Sequence, residues 1–341
     1  MIQRTEQSIL QVTGLKKYFP VQKGVLRKTV GYIKAIDGID FNVEEGETVG
    51  LVGESGSGKT TTGRSIIRLH PVTEGKILFR IDGQMRNVHQ LSRSEIKNFR
   101  REMQMVFQNP FSSLDPRMSI RNILLEPVIT HKIGNRQEQL AKIEELIAMV
   151  GLRTSHLARY PHELSGGQRQ RVGIARSLAL NSKFIICDEP VSALDVSVQA
   201  QVLNLLSNLQ KELKLTYLLI AHDLSIIEYM SDRIIVMYAG KIVEIAKSED
   251  LYQQPKHPYT EALIAAVPRQ KHNSSFKRSV LAGTMPDAFN LPIGCNFYDR
   301  CRYARDICQQ TEPVLTKISD KESNSVACHL ADELALEGYR E

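Results

Sequence analysis

The residues with the clearest chemistry are a glycine-rich run that ends in a lysine and a threonine. Residues 53 to 60 match the pattern G-x-x-x-x-G-K-[ST] and stand between an apolar strand-like run and a helical run. In this pattern backbone N–H groups surround phosphate oxygens, and the positive end of the following helix points at them. Lys59 is expected to reach the β- and γ-phosphates, and Thr60 to offer a hydroxyl to Mg²⁺. The predicted nucleotide-binding residues here are Gly53, Ser55, Gly56, Ser57, Gly58, Lys59, Thr60 and Thr61.

Two acidic residues follow a second apolar run, Phe184 to Cys187. Asp188 is placed to hold Mg²⁺ through water, and Glu189 to polarise the water that attacks the γ-phosphate in line. Paired carboxylates could also belong to a solvated loop. The phosphate loop in the same chain favours a hydrolytic site.

The elements around these motifs alternate between strand-like and helical patterns. Strands are expected at Ile36 to Val43, Glu47 to Val52, Met103 to Phe107, Phe184 to Cys187, Tyr217 to Ala221 and Arg233 to Met237. Residues 92–101 and 197–213 have helical spacing, and a mostly helical insertion is expected from Ile120 to Leu180. Ala239-Gly240 predicts a hairpin to a further strand at Ile242 to Ile245. The pattern favours an α/β fold with a mainly parallel sheet.

The motif Leu164-Ser165-Gly166-Gly167-Gln168 stands between the phosphate loop and the acidic pair. With it the sequence resembles the nucleotide-binding subunits of ABC transporters. The resemblance implies a P-loop ATPase core with an antiparallel β subdomain, and ATP and Mg²⁺ as cofactors. In that family Ser165, Gly166, Gly167 and Gln168 would cap ATP bound to the opposite protomer, so two chains would form two shared sites.

Further residues take family roles by the same resemblance. Gln108 matches the Q-loop glutamine that senses Mg²⁺ and the membrane subunits, Asp195 ends a D-loop, and His222 matches the switch histidine. Tyr18, with Phe19 beside it, stands where the family places an aromatic ring on adenine. The implied catalytic set is Glu189, His222, Gln108 and Lys59, and the implied Mg²⁺ set is Thr60, Gln108 and Asp188.

Four stretches narrow the resemblance to the ATP-binding subunits of oligopeptide and dipeptide importers, of the type usually encoded as the second ATPase. They are residues 18–21 with an inserted basic loop to Tyr32, residues 106–116, residues 257–263 and the cysteine-bearing tail. The implied partners are a second ATPase, different or identical, two membrane permeases and an extracytoplasmic peptide-binding protein. The resemblance implies the domains 1–255, an ABC ATPase with a helical subdomain at about 109–180, and 256–341, a loop-rich extension.

Two other classes of protein share the same ATPase domain. Nickel importers have much of this pattern, so the cargo could be a metal chelate. A soluble ABC ATPase that acts on nucleic acid or the ribosome would use the basic stretch between Glu6 and Asp37. The single cassette and the absence of a long coiled-coil insertion between Gln108 and Leu164 favour transport, so no nucleic-acid partner is expected.

The tail holds four of the five cysteines, Cys295, Cys301, Cys308 and Cys328, spaced C-x5-C-x6-C-x19-C. Structural zinc sites favour closer pairs, whereas thiolates on a looping tail suit an iron–sulfur cluster. The tail also resembles that of peptide-importer ATPases that hold a [4Fe–4S] cluster. Zinc and unliganded thiols remain the alternatives. Cys187, beside Asp188, is expected to be a small core residue.

Composition is that of an ordinary globular protein, with 42% hydrophobic residues, 24% charged residues and a net charge of +6. The sequence contains neither an apolar run of about 18 residues, which a membrane helix needs, nor a recognisable secretory signal. These features predict a cytosolic protein, and the resemblance to importer ATPases implies a peripheral position at the cytoplasmic face of a bacterial membrane. Residues Arg269 to Arg278 are expected to form an exposed basic linker.

Overall fold

A computed structural model of the chain describes residues 7–25, 27–267, 283–318 and 321–338. The basic linker expected at Arg269 to Arg278 lies outside the described residues. Within the described ranges, no helix is both long and apolar enough to cross a bilayer.

The strands are β1 (Ser8–Lys23), β2 (Lys28–Glu44), β3 (Thr48–Val52), β4 (Glu74–Ile81), β5 (Gln84–Asn87), β6 (Met103–Val106), β7 (Phe184–Asp188), β8 (Thr216–Ile220), β9 (Arg233–Tyr238), β10 (Lys241–Lys247), β11 (Thr316–Ile318) and β12 (Lys321–Val326). The helices are α1 (Lys59–Ile66), α2 (Arg93–Glu102), α3 (Pro110–Ser113), α4 (Ile120–Thr130), α5 (Arg136–Met149), α6 (Gly166–Leu178), α7 (Val196–Leu213), α8 (Leu224–Met230), α9 (Ser248–Gln253), α10 (Pro258–Ala266) and α11 (Asp306–Gln310). Short 3-10 turns connect several of them.

The main sheet has eight strands over the described residues, in the order β11-β12-β10-β9-β3-β8-β7-β6. The five strands from β9 to β6 are parallel, and β10, β12 and β11 add to the edge in antiparallel pairs. Strands β3, β7 and β8 are buried at every residue, as expected for parallel strands covered on both faces. The mainly parallel α/β fold is confirmed.

The second sheet is antiparallel, in the order β2-β1-β4-β5. Its core side chains, such as Leu10, Phe41 and Phe79, pack in one cluster with Leu51 and Ile235 of the main sheet. The antiparallel subdomain therefore packs on one face of the main sheet.

The inserted basic segment up to Tyr32 was expected to be a loop, and this prediction was wrong. The segment is an extended hairpin, in which Tyr18 pairs with Lys34 and Lys23 with Lys28. Backbone hydrogen bonds and a contact from the distant tail stabilise it: Lys34 N donates to Ala288 O at 3.1 Å.

The helical region between β6 and β7 contains α4, α5 and α6, as expected for the insertion. Ser119 and Asn135 cap the first two of these helices with their side chains, and Ser165 caps the third. Residues 109–116, between β6 and α4, contain one short helix, α3, which Asn109 caps and Pro110 begins.

The C-terminal extension is joined to the main sheet through β12, which pairs with β10 at Glu244 and Ile245. Its Phe297 is 2% exposed and packs on Tyr238 of β9 and Tyr259 of α10. The division of the chain at residue 255 stays a prediction.

Candidate active site

The phosphate loop connects the buried strand β3 to helix α1, so its backbone is fixed at both ends. Gly58 begins the helix with φ 106°, and a Cβ there would lie 2.3 Å from the Ala35 carbonyl oxygen. Gly53 meets the Met237 carbonyl oxygen in the same way, at 2.1 Å. Only glycine fits these two positions, because a side chain would require both a left-handed backbone and a steric clash.

Lys59 is 5% exposed and bends back over its own loop. Its Nζ donates to Gly53 O at 2.6 Å and Glu54 O at 2.8 Å. Burial lowers the pKa of Lys59, and the nearby acids Glu189, Asp188 and Glu54 oppose this shift. The ammonium group therefore faces the backbone of its own loop, and the acids that would hold the metal and the attacking water are near enough to affect its pKa.

Thr60 and Asp188 meet across 128 residues of sequence, as the motif predicts for a Mg²⁺ site. The Thr60 hydroxyl donates to Asp188 Oδ1 at 2.9 Å. Asp188 is fully buried, and its Oδ2 has no hydrogen-bond partner among the described residues. Burial raises the pKa of this carboxyl, while the bond from Thr60 lowers it. A buried carboxylate oxygen without a partner, next to a hydroxyl, fits a hard cation with oxygen ligands.

Glu189 follows β7 with φ 45°, a backbone conformation that is strained for a residue with a side chain. Its backbone N–H donates to Ile220 O at 2.9 Å, which fixes it against β8. Gln108 Nε2 donates to Glu189 Oε2 at 2.8 Å, and His222 Nδ1 lies 3.3 Å from the same oxygen. The structure thus brings Gln108, Glu189 and His222 together at the carboxyl ends of β6, β7 and β8.

The motif Leu164-Ser165-Gly166-Gly167-Gln168, called the signature motif from here on, forms the N terminus of α6. The Ser165 hydroxyl accepts from Gln168 N at 3.3 Å, and Ser165 N donates to Gln168 Oε1 at 3.0 Å, a reciprocal capping box. A Cβ on Gly167 would lie 2.4 Å from Val198, so this helix packs closely on α7 just after Asp195. Among the described residues, no hydrogen bond joins the signature to the phosphate loop of the same chain.

Tyr18 lies on the antiparallel sheet and is half-buried. Its hydroxyl hydrogen-bonds with the Asp37 carboxylate, and its ring lies 5.8 Å from Lys34 Nζ. The neighbouring Phe19 packs edge-on against His70 at 5.7 Å. The adenine-stacking role of Tyr18 stays a prediction.

The four tail cysteines line one small cavity, together with His257 and Phe297. Cys295 N donates to Cys308 O at 2.7 Å, which brings distant parts of the tail together. Burial raises the pKa of Cys295 to about 12 and of Cys301 to about 11. The part of the chain that the structure describes contains no group of three or more His, Cys, Asp or Glu arranged to hold a metal ion. Cys187 is fully buried in β7, as expected for a core residue.

Two further residues, to which the sequence analysis gave no role, contact the phosphate loop. Arg300, in the tail, donates to both carboxylate oxygens of Glu54 at 2.9 Å. Tyr259 in α10 accepts the Glu54 N–H with its hydroxyl at 2.8 Å. Glu54 occupies a variable position of the motif, and Arg300 is separated from it by 246 residues, so no local pattern marks the pair.

Comparison with known proteins agrees with this geometry. The family model described as "ABC transporter" matches residues 36–192. An oligopeptide transport ATP-binding protein of Bacillus subtilis, AppF, is 50% identical over 333 residues, covering 97% of this chain and 99% of AppF. The chain belongs to the ABC transporter family. A second model, for the C-terminal region of oligopeptide/dipeptide transporters, matches residues 243–308 of this ABC protein.

Other relatives extend the comparison. The oligopeptide transport ATP-binding protein OppF of Bacillus subtilis is 52% identical over 264 residues, which is 77% of this chain and 83% of OppF. Among solved structures, the dimer of the ATP-binding cassette MJ0796 with ADP and Pi has a TM-score of 0.61 and 30% identity, covering 70% of this chain and 98% of that one. The ABC ATPase fold expected from the sequence is confirmed.

Proposed function

We propose that this ABC protein is the ATP-hydrolysing subunit of a bacterial peptide importer, bound peripherally at the cytoplasmic face of the membrane. The observation that carries the proposal is the meeting of Gln108, Glu189 and His222 beside the Thr60–Asp188 pair. Phosphoryl transfer needs little covalent chemistry from the protein and depends on such positioning.

The side chains have separate roles in this mechanism, except for Gln108, which has two. Lys59 and the loop amides bind the β- and γ-phosphates, and Thr60, Asp188 and Gln108 would hold Mg²⁺. The metal, when bound, neutralises charge that develops on the phosphate oxygens. Glu189 accepts a proton from the attacking water, Gln108 orients the carboxylate through the 2.8 Å bond, and His222 contacts the γ-phosphate.

A dimer completes each site in this proposal. The exposed N terminus of α6 offers its amides to a nucleotide bound by another ATPase chain, because the chain's own signature makes no hydrogen bond to its own phosphate loop within the described ranges. That second chain is a different ATPase or a second copy. Two permeases and an extracytoplasmic peptide-binding protein complete the importer.

Peptides are favoured as cargo. Both Bacillus subtilis relatives are called oligopeptide transport proteins, and the C-terminal model of that transporter group matches residues 243–308. A nickel chelate is the second candidate, from the shared pattern described above. The test reconstitutes the chain with its membrane partners and binding protein in vesicles, and follows ATP hydrolysis with oligopeptides or nickel.

The decisive variant is Glu189→Gln, with Glu212→Gln as its matched control on an exposed end of α7. We expect Glu189→Gln to bind ATP, to keep the dimer closed and to lose peptide-stimulated hydrolysis, while Glu212→Gln behaves as the unaltered chain. Normal hydrolysis by Glu189→Gln would contradict the assigned role. Stimulation by nickel alone would support the ATPase role and would identify a nickel chelate, instead of peptides, as the transported substrate. Salt-sensitive binding to ribosomes or DNA without a membrane partner would support the soluble ATPase.

A [4Fe–4S] cluster on Cys295, Cys301, Cys308 and Cys328 is a further part of the proposal. Their shared cavity supports it, because a cluster takes four cysteine ligands around one space. Zinc is the alternative, and the long spacings between these cysteines favour the cluster over a zinc site. Protein purified without oxygen should be brown and contain iron, and Cys328→Ser should lose both properties. Cys187→Ala is the control and should keep them. Colourless, iron-free protein would exclude the cluster.

A further inference from the structure

Glu54, the second residue of the phosphate loop, is held at three points. Its N–H donates to the Tyr259 hydroxyl, and its C=O accepts from Lys59 Nζ at 2.8 Å. Its carboxylate receives two bonds from the Arg300 guanidinium, each 2.9 Å long. One residue therefore joins the phosphate-binding lysine to the C-terminal extension.

Arg300 is placed rigidly for this contact. Its side chain is 6% exposed, against 28% for Glu54, and it also donates to the Tyr238 hydroxyl at 3.2 Å. Its backbone N–H donates to the carbonyl oxygen of Phe297, which is buried against Tyr238 and Tyr259. A bidentate pair between a buried guanidinium and a carboxylate fixes both groups in geometry as well as in charge.

The charge of Glu54 is a problem for a loop that binds a triphosphate. An unpaired carboxylate near the phosphates would repel them. Arg300 neutralises this charge from the side of the extension.

A second contact lies nearby. A Cβ on Gly56 of the loop would be 3.9 Å from the sulfur of Met285, which also belongs to the extension. The extension thus lies against the phosphate loop itself, and not only against the edge of the sheet.

We infer that Arg300 is a positioning residue for nucleotide binding, which neutralises Glu54 and couples the extension to the phosphate loop. The inference rests on the proposed function in that the loop binds ATP. Because coupling between two sites is reciprocal, ATP in the loop also stabilises the extension around Arg300.

A purely structural ion pair would predict something different. In that case the loss of Arg300 would reduce stability and would affect all ligands of the chain alike. A neutralising role instead predicts a loss that grows with the charge of the nucleotide, shrinks at high salt and disappears when Glu54 is also neutral.

The experiment measures the affinities for ATP and ADP by calorimetry on the full chain, at low and high salt, with thermal unfolding as a check on folding. The variants are Arg300→Ala, Glu54→Gln and the double variant. Arg305→Ala is the matched control, because Arg305 pairs with Glu333 at 2.7 Å in the same extension with both side chains more than half exposed.

We expect Arg300→Ala to weaken ATP binding on the order of tenfold at low salt, as for the loss of one partner of a charged pair. ADP binding should weaken less. Arg305→Ala should bind ATP as the unaltered chain does, whereas Glu54→Gln and the double variant, which lack the carboxylate, should bind ATP at least as tightly.

Three results would overturn the inference. The first is an equal ATP affinity of Arg300→Ala and Arg305→Ala. The second and third are a double variant or a Glu54→Gln variant whose ATP affinity is as low as that of Arg300→Ala. The last result remains decisive if Arg300→Ala does not fold. Failure of the unaltered chain to bind ATP would overturn the proposed function as well, so the two failures are distinguishable.

Discussion

Asp188→Asn should make the nucleotide-free protein more stable while it removes the response to Mg²⁺. Asp188 is fully buried, its Oδ1 accepts from Thr60, and its Oδ2 has no hydrogen-bond partner among the described residues. Burial raises the pKa of this carboxyl, so the folded state binds a proton more tightly than the unfolded state. At neutral pH the ionised group therefore destabilises the fold.

The size of the effect follows from the buried charge. A tenfold change in the proton affinity of a carboxyl corresponds to about 1.4 kcal/mol. Asparagine keeps the carbonyl that accepts from Thr60 and removes the charge, while its amide group stays without a partner as Oδ2 does, so about 1 kcal/mol should be recovered. At roughly 2–4 °C per kcal/mol for a domain of about 150–250 residues, the Tm should rise by a few degrees.

The assay compares thermal unfolding without nucleotide, with ATP and EDTA, and with ATP and Mg²⁺. The unaltered chain should gain extra stability when Mg²⁺ is added, because ligands that bind only the folded state stabilise it. Asp188→Asn should lose that gain. Asp82→Asn is the control, since Asp82 is exposed in a turn and asparagine tolerates its φ of 49°. A lower Tm for Asp188→Asn without nucleotide, or an intact Mg²⁺ response, would refute the reasoning.

Two more predictions concern stability. Burial raises the pKa of Glu244 to about 7, so the folded state keeps a proton that the unfolded state loses above about pH 4.3. Stability should therefore fall between about pH 4.3 and 7 by up to about 1.4 kcal/mol per pH unit, and denaturant titrations of Glu244→Gln should lack this slope. Phe297→Ala should lower the free energy of unfolding by about 3–5 kcal/mol, because it empties a buried aromatic cluster. Phe289→Ala, at a ring 38% exposed, should lower it far less, and equal losses in urea titrations would contradict the packing argument.

The sequence predicted the catalytic core well because its signals are local. The helical spacing from Ser92 gave α2, where Ser92 and Glu95 form a reciprocal capping box. Short apolar runs predicted β3 and β6 to β10 within one or two residues of their bounds, whereas the run Ile36 to Val43 covers only the second half of β2, which begins at Lys28. The phosphate loop follows β3, Asp188 ends β7 and Glu189 comes directly after it, so the parallel strands bring all three to one edge of the sheet.

The rest depends on residues far apart in the chain. The basic hairpin was expected to be a loop because its lysines hide the strand pattern, and its pairing is completed by Ala288 of the tail. The Glu54–Arg300 pair has no local signature at all. The cysteine spacing predicted that the thiols gather, but could not show that β12 would pair with β10.

The short edge strand β11 has a consequence for how the protein avoids self-association. A free strand edge with apolar residues invites pairing with another chain. Without the tail, β10 would expose such an edge over seven residues, including Ile242 and Ile245. With the tail in place, β12 covers part of β10 and the sheet ends instead in a three-residue strand that carries Lys317. The extension is therefore expected to protect the edge of the main sheet from pairing with other chains before the protein is assembled with its partners.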